Sequence, residues 1–191
     1  MREILTQERK EKKSTRNKII IGIILVVIMA FSTLAYAFFS NPQTENRVKY
    51  NGITFSLGEN RLWNFKTKIG SFATQYNPLE TKNITVPVTL TINNYAGRPL
   101  YILSNGEAAQ TEILGNLNGV YLKWQAGCIQ GYEAECDENA PVKNCSLDNV
   151  IILREANSTS ITQEGSCVFI SSPVEESGLA GDAFIFKILG I

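Results

Sequence analysis

Histidine is absent from all 191 residues. The side chain whose ordinary pKa lies nearest neutrality is therefore missing, and with it the commonest general base and the commonest neutral metal ligand. There is no G-x-S-x-G turn for a serine nucleophile, no phosphate-cradling glycine loop and no dinucleotide fingerprint. No two of the four cysteines form a Cys-x-x-Cys pair, which weakens a zinc site. These absences leave catalysis by carboxylates alone, or by a serine–lysine pair. Lys123 and Lys143 are the lysines near the cysteine region, and both read as surface charges. No catalytic, cofactor-binding or metal-binding residue is assigned.

Charge is the next scarcity. Between Ile19 and Phe39 there is none: IIIGIILVVIMAFSTLAYAFF. A helix of that length spans roughly 30 Å, the thickness of a bilayer core. Its Ile, Leu, Val and Phe residues favour insertion by about 4 to 8 kcal/mol in total. The chain is neutral overall, with 18 basic and 18 acidic residues, but the two sides of this run differ. Residues 1–18 carry seven bases against three acids, a net of +4, which leaves −4 for residues 40–191. A basic flank stays on the cytoplasmic side, so the expected topology is N-terminus in and C-terminal domain out, a single-pass protein of the cell membrane. The same tail suits anionic head groups, so the bilayer is the first expected partner. An acidic C-terminal part gives no basis for a nucleic-acid partner.

The expected organisation is a basic tail (1–18), a signal anchor (19–39), a linker (40–47) and one extracytoplasmic domain (48–191). Two alternatives stay open. Ala35-Tyr36-Ala37 has the small-x-small form of a signal peptidase site, and cleavage after Ala37 would secrete the rest. Against it, the apolar run is long for a signal peptide and continues through Phe38 and Phe39. A pilin-like export signal would need a small residue after a charged one, which Asn17-Lys18-Ile19 does not supply.

Beyond the linker the pattern is β-like. Val48–Tyr50 and Ile53–Phe55 flank Asn51-Gly52, whose two residues tolerate the positive φ of a type I′ hairpin. Trp63 and Phe65 alternate with Asn64 and Lys66, and residues 71–76 repeat the alternation. Val86, Val88, Leu90 and Ile92 alternate with threonines, predicting another half-buried antiparallel strand. Residues 100–103 read as a buried strand and 107–117 as a helix. Val120, Leu122, Trp124 and Ala126 read as a further strand, with Trp63 and Trp124 both expected in the core. Residues 150–153 and 167–170 predict two strands joined by a turn at 155–158. Ser172-Pro173-Val174-Glu175 predicts a capped helix that closes at Gly190. The fold class is α+β: mostly antiparallel strands, about two helices and two disulfides.

Cys128, Cys136, Cys145 and Cys167 all lie beyond the apolar run, as a disulfide framework in an oxidising compartment requires. The preferred pairing is Cys128–Cys136, closing a loop, and Cys145–Cys167, opposite one another if 145–167 is a hairpin centred near Ala156. Asn83, Asn144 and Asn157 head three glycosylation sequons. The acidic stretch 133–138 lacks the spacing and glycine of a calcium loop, so it reads as solvated.

Tyr50-Asn51-Gly52-Ile53-x-Phe55, Pro99-Leu100-Tyr101, Glu112-Ile113-x-x-Asn116-Leu117, Pro141-Val142-Lys143-Asn144-Cys145, Glu164-Gly165-Ser166-Cys167-Val168 and the Asp182-Ala183-Phe184 to Leu189-Gly190-Ile191 ending carry a resemblance. The chain resembles a group of uncharacterised, single-pass membrane-anchored ectodomain proteins of small-genomed archaea. That resemblance implies an exported, cysteine-bearing domain and brings no activity. The functional expectation is a non-enzymatic surface module binding a protein or glycan. The alternatives are an envelope enzyme using carboxylates only, or a protein secreted by cleavage after Ala37.

Overall fold

The computed structural model describes residues 18–32, 46–104, 107–132, 136 and 139–191. Two compact units result, the first ending at Glu45 and the second running Asn46–Ile191. In the first, residues 18–32 form helix α1, and its Ile, Leu, Val and Phe side chains are all exposed. Among the described residues, no helix is long and apolar enough to cross a membrane. The remainder of the expected 19–39 span, the Ala35–Ala37 site, most of the basic tail and most of the acidic 133–138 loop lie outside the described residues.

The second unit is α+β. Strands β1 (Arg47–Tyr50), β2 (Ile53–Leu57), β3 (Trp63–Thr67) and β4 (Gly70–Thr74) form an antiparallel meander. Asn51 (φ 46°) and Gly52 (φ 81°) make the expected turn, with Tyr50 opposite Ile53. Trp63, Phe65 and Phe72 point to one buried face. The expected strand at 85–92 is not one. Its burial alternates as predicted, but Pro87 lacks an N–H and no ladder forms. The Thr89 N–H instead donates to the Gln163 side chain at 2.7 Å, and Ile92–Tyr95 turns into a one-turn helix, α2.

A second sheet departs further from the antiparallel expectation. It contains β5 (Pro99–Ser104), β6 (Lys123–Ala126), β9 (Asn149–Glu155), β10 (Ser160–Glu164) and β11 (Cys167–Ser172), ordered β10-β11-β9-β5-β6. Only β10–β11 is antiparallel; β11–β9, β9–β5 and β5–β6 are parallel. Strand β5 reaches β6 through helix α3 (Glu107–Asn116), a βαβ crossover. The predicted 150/167 hairpin is likewise corrected: β9 leads into β10 at the outer edge, and β11 returns between them, parallel to β9. Strands buried on both faces read as continuous apolar runs, as Val150–Leu153 does, and carry no clue to direction.

The capped start expected at Ser172 is also shifted. Ser172 ends β11, residues Val174–Glu176 make a 3-10 turn, and helix α4 runs Ser177–Leu189. Its far end is as expected: Gly190 is left-handed (φ 75°), and Gly190 and Ile191 donate to the carbonyls of Lys187 and Phe186. Helix α4 is buried nearly all round. Phe186 packs edge-on to Phe55 at 5.8 Å, and Tyr95 meets Phe184 edge-on at 6.3 Å. Full burial of each such ring contributes about 2–3 kcal/mol. Gly181 lets α4 approach α3, since a Cβ there would stand 3.2 Å from the Ala109 Cα.

The other face of the second sheet presents Tyr101, Leu103, Val150, Ile152 and Cys167. It packs against Ile129, Tyr132 and both disulfides' neighbourhoods, next to the short parallel pair β7 (Cys128–Ile129) and β8 (Val142–Lys143). Cys128–Cys136 and Cys145–Cys167 are both bonded, the preferred pairing. The second bridge arises by a different geometry from the hairpin expected. Cys167 opens β11 beside Val150, and Cys145 precedes β9, so a parallel pair brings the two sulfurs to the same end.

Candidate functional site: two clefts and a buried acid pair

Parallel strands place their carboxyl ends together, and a cleft of about 660 Å³ opens there. Leu153, Arg154 and Glu155 end β9, while Ile170 and Ser172 end β11. Ala108, Ala109 and Thr111 come from the first turns of α3, Val174 and Ser177 from the start of the closing helix, and Gln75 follows β4. The cleft lies beside the reversal of strand order, because β5 proceeds to β6 on one side and β9 to β11 on the other. That is where open parallel sheets hold ligands. Ser177 Oγ accepts the Ala109 N–H at 3.2 Å and so ties the two helix starts together.

The chemistry of the lining is hydroxyl, amide and aliphatic. Arg154 reaches the wall, but its guanidinium turns to the opposite face of the sheet, 3.9 Å over the Tyr132 ring. Glu155 is the one carboxylate among the described lining residues. Such a lining suits a neutral, hydrogen-bonding group with an apolar part, and its volume falls in the range of ligand pockets.

Behind the cleft sits a feature that sequence reasoning missed. Asp182 of α4 has no exposed surface, and Glu112 of α3 is 6 % exposed. The two carboxyls are hydrogen-bonded to each other. Asp182 Oδ2 also accepts the Tyr76 N–H at 2.8 Å. Burial, reinforced by the neighbouring Glu112 charge, pushes Asp182 up to about 9. Burial raises Glu112 too, opposed by hydrogen bonds from Asp182 and Gln75. Asp182 therefore keeps the shared proton and donates it to Glu112 at neutral pH. The available signal was local: Gly-Leu-Ala-Gly-Asp-Ala-Phe-Ile-Phe sets one acid in an otherwise apolar helix.

Glu112 also lines a second cleft of about 560 Å³ between β3–β4 and α3. Asn116 closes its floor by accepting the Ala73 N–H at 3.1 Å and donating to the Glu112 carbonyl at 3.0 Å.

Of the residues singled out in the sequence, Asn83, Asn144 and Asn157 are all exposed on loops. Asn144 Oδ1 accepts the Ser146 N–H at 2.8 Å. Among the described residues no group of three or more histidine, cysteine, aspartate or glutamate side chains could hold a metal. Lys143 lies 3.9 Å over the Tyr101 ring and 3.7 Å from Asp148, while Lys123 is exposed. Trp63 is in the core as expected, but Trp124 is 44 % exposed because β6 is an edge strand. Comparison with protein-family models, curated proteins and solved structures finds no match to this chain.

Proposed function

We propose that this chain is a single-pass protein of the cell membrane, cytoplasmic at its N-terminus, whose extracytoplasmic unit binds a surface partner without transforming it. Support for the anchor is the uncharged run 19–39 with its basic flank. Within it, α1 turns apolar side chains outward on every side, which calls for a non-aqueous surrounding. Two disulfides consuming all four cysteines favour an oxidising compartment.

The observation that carries the binding reading is the cleft at the ends of β9 and β11. It converges hydroxyl and amide groups on an apolar floor, with Glu155 the one carboxylate among the described lining residues. The partner it fits is a protein loop or glycan presenting neutral polar groups. A photo-reactive residue replacing Ala108, in intact cells, should capture one neighbour that mass spectrometry identifies. The same residue replacing Leu147, which is 82 % exposed, should capture none, and Val174→Trp should fill the cleft and abolish the Ala108 adduct. Equal labelling from both positions overturns the reading.

The carboxylate-only enzyme is the second reading, and Glu112 in the wall of the smaller cleft is the observation that favours it. Its weakness is that Asp182, sealed behind the helices, cannot touch a substrate there. Turnover lost in Glu112→Gln, with the fold retained, would promote it. A mature N-terminus at Phe38 would replace the anchored form by a secreted one.

A further inference from the structure

Three of the four sheet edges are protected. Strand β10 is shielded where Thr89 bonds Gln163, and β4 gives its Ala73 N–H to Asn116. Strand β1 is four residues long and carries Arg47 and Lys49. Strand β6 has no such device. It pairs with β5 on one side only, and Leu122 and Trp124 beside that open edge are 69 % and 44 % exposed. Because the Leu122 N–H bonds the Arg98 carbonyl, alternation turns the Trp124 main chain to β5 as well. Lys123 and Gln125 therefore present their N–H and C=O groups outward.

We propose that β6 is a dimerisation edge: two copies of this chain pair their Lys123–Ala126 strands antiparallel about a two-fold axis at Trp124. The occupant follows from register. Outward-facing residues must oppose outward-facing residues, so a two-fold pairing can be centred only on Lys123, Trp124 or Gln125. Centring on Lys123 sets two ammonium groups opposite each other, and centring on Gln125 separates the tryptophans. Centring on Trp124 places Lys123 opposite Gln125 of the second copy, exchanging both main-chain bonds, with no like charges opposed. The two indoles then form a non-hydrogen-bonded pair, the closer kind, flanked by Leu122 opposite Ala126. A strand this short makes a small interface, so the dimer belongs to the weak class.

The test uses the full chain in lipid bilayers. Trp124→Cys should cross-link between copies under mild oxidant at least tenfold faster than Leu147→Cys, since a non-hydrogen-bonded pair sets Cα atoms about 4.5 Å apart. In that background Gln125→Lys opposes lysines on both sides of the axis and should slow cross-linking at least tenfold. Adding Lys123→Glu should restore it, because glutamate then faces lysine. Native disulfides and circular dichroism report whether each variant folds. Cross-linking at 124 no faster than at 147 overturns the proposal, as does a rate indifferent to the charge swap. Dimerisation through the N-terminal helix alone gives that second result.

Discussion

Replacing Asp182 with asparagine changes the pH dependence of stability in a direction opposite to that of most aspartates. The unfolded chain releases this proton near pH 3.8, and the folded chain holds it to about pH 9. The contribution is thus fully present below about pH 4 and is lost as pH rises towards 9. Within that window the folded state binds one extra proton, so stability falls by about 1.4 kcal/mol per pH unit. From pH 5 to 8 the loss is about 4 kcal/mol, a large share of the 5–15 kcal/mol typical of a domain. Asparagine keeps an acceptor for the Tyr76 N–H and a donor for Glu112 but has no proton to lose. Urea unfolding followed by the fluorescence of buried Trp63 reads both proteins across the pH series. Between pH 5 and 8 the wild-type curve should lose about 4 kcal/mol relative to that of Asp182→Asn, whatever the offset between the two at pH 5. Parallel curves between pH 5 and 8 would refute the shared-proton account.

Tyr95 carries a buried hydroxyl without a hydrogen-bond partner among the described residues, and burial pushes its ionisation above the ordinary tyrosine value. Tyr95→Phe should therefore stabilise the fold by about 1 kcal/mol in denaturant titration. Gly165 has φ 56°, and a Cβ there would overlap the Cys145 carbonyl oxygen, which accepts the Ser166 N–H. Gly165→Ala should cost about 2–4 kcal/mol and lower the thermal midpoint by several degrees. Removing the Cys145–Cys167 bridge by paired serine substitution reopens a loop with a sequence separation of 22. The cost expected from chain entropy is about 3 kcal/mol, against slightly less for Cys128–Cys136.

Much of the local structure was legible in the chain. Asn51-Gly52 announced its hairpin, and Trp63 and Phe65 their buried face. Residues 107–117 announced a helix, and Gly190 the end of another. Each depends on neighbours a few residues apart, where turn geometry or a 2- or 3.6-residue period dictates the outcome. The cysteine pairing was reached as well, although through a hairpin that does not exist.

What the tertiary structure alone decided is partnership. Alternation at 85–92 and at 120–126 states that one side of the chain is covered, not whether a neighbouring strand or a single side chain such as Gln163 supplies the partner. The same pattern fits a central strand and the edge strand that leaves Trp124 in solvent. Glu112 and Asp182 belong to helices far apart in sequence, and only their packing through Gly181 and Ala109 makes them share a proton. Periodicity is a property of one segment, whereas pairing direction, edge position and a shifted carboxyl arise from what two distant segments exclude from water together.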